Sequence, residues 1–204
     1  MDLVAQFYKG GAFMWPILAL LIVGVAYGIY KFIFLMQSSI DTKSFIIKVR
    51  NALDEGGAEA ALKVCEDTKG PVASIFHAGI SRVDKGIEAA EKAIVNAGSV
   101  EMAFLEKGMI VMSSIITIAP MIGFTGTVGG MISAFDAIAA ANDINPGVVA
   151  TGIGQALLTT VFGLVVAMVA QILYNFFTSR IDALIVDMEE ASLVLIDDLV
   201  ELKK

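Results

Sequence analysis

The chain has 204 residues, of which 57% are hydrophobic and only 17% charged, with a formal net charge of -7. Soluble domains carry roughly 25% charged residues, and an acidic balance without clustered Lys and Arg excludes nucleic acid as a partner. A single cysteine, Cys65, excludes an intrachain disulfide, and the single histidine, His77, has no neighbour at ligand spacing, so no metal site and no cofactor are expected.

Residues 1–11 read as a short segment outside the membrane. From Ala12 to Tyr30 no charged residue occurs, and the apolar run resumes after Lys31 through Phe32–Met36. A cleaved signal has an apolar region of about 7–15 residues behind a basic start. This run is longer and follows only Asp2 and Lys9, so residues 12–36 are expected to form a retained first span.

Residues 37–107 carry nine basic side chains: Lys43, Lys48, Arg50, Lys63, Lys69, Arg82, Lys85, Lys92 and Lys107. The stretches Ala58–Val64 and Ile87–Phe104 are rich in Ala, Glu and Lys, with breaks at Gly56–Gly57 and Gly70–Pro71, so helices are expected here. His77 reads as a solvated or half-packed helix residue.

No charge occurs between Lys107 and Asp136, nor between Asp143 and Arg180. Each gap exceeds the ~20 residues that cross a bilayer core, which places span two at 108–139 and span three at 146–178. As helices these uncharged stretches would reach about 42 Å and about 54 Å, against a hydrocarbon core of about 30 Å. Both are expected to continue beyond the bilayer into the cytoplasm. Between them, 140–145 is a short loop, and Asn145–Pro146 suits a helix start, with Asn as N-cap and Pro at the first helical position.

Residues 179–204 form an amphipathic tail. Ile181, Leu184, Ile185, Met188, Leu195, Leu199 and Leu202 recur at helical spacing, and Asp182, Asp187, Glu189, Asp197, Asp198 and Glu201 are assigned to the other face. That acidic face disfavours membrane-surface binding. Lys and Arg mark the cytoplasmic side. The basic middle segment, Arg180 after span three, and a 140–145 loop without either residue put the N-terminus outside and the tail in the cytoplasm. The fold class is thus an all-α integral membrane protein with three transmembrane helices and additional cytoplasmic helices, embedded in the lipid bilayer.

Small residues run in stripes along both later spans. Pro120, Gly123, Thr127, Gly130 and Ala134 share a face of span two, with Gly126 adding to the packing set. Gly152, Ala156, Thr159, Thr160, Gly163, Ala167 and Ala170 share a face of span three, opposite Leu157, Val161, Leu164, Val165 and Ile172. Such stripes let backbones approach closely and mark helix–helix contact in membranes. There is more of this surface than three helices need among themselves, which predicts an oligomer.

The same faces carry hydroxyls and one amide: Thr117, Thr125 and Thr127 on span two, and Thr151, Gln155, Thr159 and Thr160 on span three. They suit either helix-to-helix bonding or a hydrated lining. Neither span contains Asp, Glu, His, Lys or Arg at mid-depth, and Asp136 lies at the outer end. A proton relay needs a titratable group in the membrane, so a partner helix would have to supply it. The glycine run Gly126–Gly130 lacks the Gly-Lys-Ser/Thr ending of a phosphate loop. With His77 outside the spans, no hydrolase triad can be built, and no enzyme is expected. A small-solute transporter would call for an internal repeat and substrate-binding polar residues, and neither is seen.

Three stretches together resemble the MotA/TolQ/ExbB proton channel family, and its ExbB/TolQ branch in particular. They are Ile118-Ala-Pro-Met-Ile-Gly-Phe-Thr-Gly-Thr-Val-Gly-Gly-Met131 with the preceding Leu105-Glu-Lys-Gly, Gly152-Ile-Gly-Gln-Ala-Leu-Leu-Thr-Thr-Val-Phe-Gly-Leu164 followed by Tyr174-Asn175, and Pro71-Val-Ala-Ser-Ile-Phe-His-Ala-Gly79. The resemblance implies a homopentameric shell in the bacterial inner membrane around two copies of a single-span ExbD/TolR-like partner that brings a membrane Asp. Proton passage would drive mechanical work, passed on by a TonB/TolA-like energy transducer. It also implies lining roles for Thr127 and Thr160, with Gln155 and Thr159 beside them. Where the family often has Glu five residues before the second threonine, this chain has Gln155, which can only hydrogen-bond. The resemblance does not choose among TonB-type uptake, Tol-type envelope constriction and gliding, and hydroxyls with a borrowed carboxylate suit H⁺ and Na⁺ alike. The competing reading from the residues is a membrane scaffold in which the small stripes serve packing only.

Overall fold

A computed structural model describes residues 3–141 and 146–201. The chain order is α1 (Leu3–Lys9), α2 (Met14–Ser38), α3 (Thr42–Asp67), α4 (Pro71–Ile80), a 3-10 turn (Val83–Lys85), α5 (Ile87–Glu106), α6 (Met109–Ala141) and α7 (Pro146–Glu201). Among the described residues there is no strand. Three helical stretches are long and apolar enough to cross a membrane, with their apolar parts in α2, α6 and α7. The chain is an all-α membrane protein, as the charge-free runs predict. Helix α7 begins at Pro146, while the proposed N-cap Asn145, Asp143 of the connection and the tail residue Leu202 lie outside the described residues.

The chain divides into two units, the first comprising residues 1–30 and 108–176 and the second 31–107 and 177–204. In the first, α6 and the upper part of α7 meet along their small residues. A Cβ on Gly163 would lie 2.6 Å from the Ala119 carbonyl oxygen, and one on Gly123 would lie 2.9 Å from that of Thr159. Farther along, Gly130 faces Ala156 and Gly152 faces Ala134. The two stripes therefore face each other within one chain. Gly154 has nothing within 4 Å of its Cβ position and stays outside this seam. Helix α2 joins through Gly24 against Ile115 and Gly28 against Leu173. Large side chains such as Met121, Phe124, Ile132, Leu157 and Ile172 are exposed on the outside, the inverse of a soluble protein and the arrangement that lipid solvates.

In the second unit α3, α4 and α5 pack with the lower part of α7. Asp41 caps α3 by accepting from the Ser44 amide at 3.2 Å. Gly57 breaks its regularity with φ 68° and ψ -160°, a left-handed position that glycine tolerates. Pro71 opens α4, and of its ten residues only Ser74, His77 and Ala78 are not buried. Phe45 of α3 meets Phe76 of α4 edge-on with ring centroids 5.2 Å apart. Ile181, Leu184, Met188, Leu195 and Leu199 are all buried, the tail stripe expected from their spacing, and α7 runs from Pro146 to Glu201 without a break. Span two behaves differently. Its helix starts at Met109 after Gly108, which has φ 81°, and α5 is a separate helix.

Two charged residues depart from their expected places. Asp198 was assigned to the solvent face of the tail but is 8% exposed. Its register follows Ala191 and Leu195 by helical steps, which puts it on the apolar stripe, and Arg50 of α3 pairs with it through two guanidinium nitrogens. Lys31 is 1% exposed. Its ammonium donates to the Leu105 carbonyl at 2.6 Å and the Lys107 carbonyl at 3.0 Å, over the Phe34 ring. It thus satisfies carbonyls that the end of α5 leaves open.

Candidate functional site: a threonine pair across α6 and α7

The glycines of α6 fix where its hydroxyls can reach. With no Cβ at Gly123 or Gly126, α7 lies close enough for side chains to cross the seam. Thr127 of α6 comes within 3.1 Å of the Ala156 carbonyl oxygen of α7 and 3.2 Å of the Gly123 carbonyl of its own helix. Thr160 of α7 approaches the Gly123 carbonyl of α6 at 3.4 Å. The two hydroxyls also hydrogen-bond to each other. Each hydroxyl has one proton and two lone pairs. Two protons thus serve four contacts, and the pair always keeps acceptor capacity for a proton donor from outside.

Thr159, also proposed for the lining, is placed differently. It is 1% exposed, its hydroxyl donates to Ala156 at 2.8 Å, and its side chain fills the space opposite Gly126. It meets the pair only through the shared Ala156 carbonyl. Gln155 is half-buried and lies against Gly11, where φ is 75° and any Cβ would run into the Gln155 amide. Pro120 is half-buried within an unbroken α6, with Gly163 opposite its neighbour Ala119.

Five other hydroxyls of these helices are turned inward to their own backbone. Ser114, Thr117, Thr125, Ser133 and Thr151 each donate to the carbonyl four residues earlier, at 2.8–3.0 Å, the usual way a helix absorbs a hydroxyl in an apolar setting. Among the described residues no group of three His, Cys, Asp or Glu could hold a metal ion. His77 lies 3.5 Å from Glu66 with its side chain 45% exposed. The Thr127–Thr160 bond could not be read from spacing, since many hydroxyls share these stripes. The features that single it out are Gly123 opposite Thr160 and the Ala156 carbonyl within reach of Thr127.

The sequence profile of the MotA/TolQ/ExbB proton channel family matches residues 67–190. A putative biopolymer transport protein ExbB homolog of Methanothermobacter thermautotrophicus is 33% identical over 178 residues, 87% of this chain and 63% of that protein. The biopolymer transport protein ExbB of Pseudomonas putida is 39% identical over 88 residues, 43% of this chain and 27% of its own. The Tol-Pal system protein TolQ of Haemophilus influenzae is 34% identical over 84 residues, 41% of this chain and 37% of its own. The chain therefore spans less than two thirds of the length of each of these relatives.

Proposed function

This chain belongs to the MotA/TolQ/ExbB proton channel family, on its ExbB/TolQ-like branch, and from that premise we propose that it is the shell subunit of a proton-driven motor in the inner (cytoplasmic) membrane. Five copies surround a single-span partner of the ExbD/TolR type, whose membrane Asp carries the proton. The work passes to a TonB/TolA-like transducer. Residues 1–11 and 140–145 lie outside, while 37–107 and 179–204 lie in the cytoplasm. The observation that carries the reading is the Thr127–Thr160 hydroxyl pair, set in two spans that lack Asp, Glu, His, Lys and Arg at its depth. A carboxyl delivered by a partner finds there the acceptor capacity that a proton donor needs.

The test is reconstitution. Native mass spectrometry in detergent should give a pentamer, with or without two copies of the partner. Proton flux into vesicles should require both proteins, and a stable monomer would remove the basis of the assembly. A second reading, a scaffold without ion conduction, is favoured by the five hydroxyls that bond only to their own helices. The two readings part on the same flux measurement, since a scaffold forms the complex and passes no protons.

A further inference from the structure

Outside the apolar spans, the second unit carries two surfaces that expose apolar side chains among charged ones. The first is a groove between α4 and α5 with a volume of about 670 Å³. Small residues dominate its lining, namely Ala78, Ala89, Ala93 and Ala97, with the exposed Val100 beside them. Arg82 and Lys92 lie toward one end, and the one acid of the lining, Glu101, lies toward the other. Lys92 reaches Glu88 of its own helix at 2.8 Å, which occupies one of the three donors of its ammonium. The second surface is the outer face of the lower part of α7. There Val186 and Leu193 are 51% and 66% exposed, and Asp182, Glu189, Glu190 and Asp197 stand exposed around them. Two aliphatic residues one heptad apart have the spacing with which a helix meets another helix. A face so rich in carboxylates is not one that lipid covers.

The two surfaces match level by level. Gly79 of α4 lies against both Ile94 of α5 and Leu195 of α7, so those two residues stand at one height. Helix α5 runs toward span two and the lower part of α7 runs away from span three, so the two are antiparallel. At about 1.5 Å per residue, Leu193 and Ala97 stand about 3 Å and about 4.5 Å to the membrane side of that level. Asp197 and Lys92 each stand about 3 Å to the other side. Val186, at about 13.5 Å toward the membrane, falls between Val100 at about 9 Å and the exposed Phe104 at about 15 Å. In a ring whose axis follows the membrane normal every copy stands at the same height, so groups at one level meet.

We propose that the lower part of α7 of one copy docks in the α4/α5 groove of the next. Leu193 then packs on Ala93 and Ala97, Val186 on Val100 and Phe104, and Asp197 faces Lys92. The groove and the α7 face share no residue, so the contact is heterologous, the kind that runs head to tail and closes into a ring when the rotation allows. The alanines admit a helix that larger side chains would hold off, and the basic end of the groove suits the acidic stripe. The proposal rests on the assembly reading above and names the surfaces that join the copies outside the bilayer.

Cysteine pairs test the docking in the full chain, assembled with its partner in its own membrane. The native Cys65 is buried and gives little background. Ala97→Cys/Leu193→Cys is oxidised with copper phenanthroline, and the products are separated without reductant. A head-to-tail contact should give a ladder of dimers, trimers and higher forms. Each single variant should stay monomeric, since one cysteine cannot pair with itself across two unlike surfaces. Ile47→Cys/Leu193→Cys, with Ile47 exposed on α3, is the control and should give no ladder. Adding Asp197→Arg to the Ala97→Cys/Leu193→Cys chain should lower the ladder severalfold, and Lys92→Glu should then restore it. A pentamer in native mass spectra with no ladder would overturn the docking and leave the assembly standing. Dimers from Leu193→Cys alone would also overturn it, because they mark contact between two α7 helices. Protection of Ala97→Cys from maleimide by the single-span partner, with no ladder, would assign the groove to that partner instead. A monomer in every spectrum would sink the assembly reading and the docking together.

Discussion

Thr127 and Thr160 reach across the same seam in opposite directions. Thr127 on α6 approaches the Ala156 carbonyl of α7, Thr160 on α7 approaches the Gly123 carbonyl of α6, and the two hydroxyls meet between them. The crossing depends on backbone proximity, because Gly123 lies against the backbone of Thr159 and Thr160. A side chain at the glycine would separate the helices and part the hydroxyls. The packing residues and the candidate ion-path residues are thus one structure, and a change to either is felt by the other.

Gly163→Ala tests that dependence. Its Cβ would lie 2.6 Å from the Ala119 carbonyl oxygen and 3.1 Å from the Gly123 Cα, both backbone atoms that cannot swing aside. Overpacking of this kind costs about 1–3 kcal/mol. The thermal midpoint in detergent should fall, and proton flux should fall with it. Gly154→Ala is the control, since nothing lies within 4 Å of its Cβ position. There the gain in helix propensity, up to about 1 kcal/mol, should leave the midpoint unchanged or higher.

The Arg50–Asp198 pair in the second unit predicts an asymmetry. The Arg50 side chain is 55% exposed and that of Asp198 only 10%. Asp198, through its hydrogen bond and then its charge, raises the Arg50 pKa, so the guanidinium stays charged. Arg50→Ala strands a carboxylate away from water, whereas Asp198→Asn leaves a guanidinium that solvent can reach. Melting curves should show the larger loss for Arg50→Ala, and Arg50→Ala/Asp198→Asn together should recover part of it. Equal losses for the two single variants would refute the burial argument.

Cys65 predicts a pH effect. Burial, with a smaller contribution from Glu66, moves its thiol from the ordinary 9.0 to about 12. The folded chain keeps the proton that the unfolded chain releases, so the associated stability is fully present below 9.0 and is lost as pH rises toward about 12. The thermal midpoint of the wild type should decline more steeply across that window than that of Cys65→Ala. The same burial makes silence of Cys65 toward thiol reagents uninformative about which side of the membrane it occupies.

The spans were legible because a charge-free run of that length has few uses other than crossing lipid. The tail stripe was legible because its helical period persists from Ile181 to Leu199. Asp198 was misread because a carboxylate in the string Ile196-Asp-Asp-Leu199 looks solvated by type, and only its register with Leu195 and the distant Arg50 puts it inside. The burial of Lys31 could not be read locally, since its acceptors are carbonyls 74 and 76 residues away. Helix α4 is only ten residues long and most of its sides are covered, so little in its apolar string marked it as a helix. The small stripes carry the same signal whether they meet within a chain or between chains, so spacing alone did not place them in the α6–α7 seam.

The last prediction separates two roles for the threonine hydroxyls, helix packing and ion path. Valine keeps the shape of threonine and removes the hydroxyl. If the Thr127 and Thr160 hydroxyls serve only to join helices, each loss should cost about 0.6 kcal/mol, the average for polar contacts between membrane helices. Complex formation and proton-driven work would then both survive. If they accept from a partner's carboxyl, their removal leaves that group in an apolar seam, where an unsatisfied polar group costs several kcal/mol. On the ion-path reading, Thr127→Val and Thr160→Val should abolish proton flux while the oligomer and partner binding persist in native mass spectra. Thr117→Val should be mild, because that hydroxyl is exposed and donates to Ser113 of its own helix at 3.0 Å. Serine at 127 or 160 restores an oxygen without the methyl group and should recover flux in part. Wild-type flux in both valine variants would reduce the pair to packing and place the proton path away from these hydroxyls.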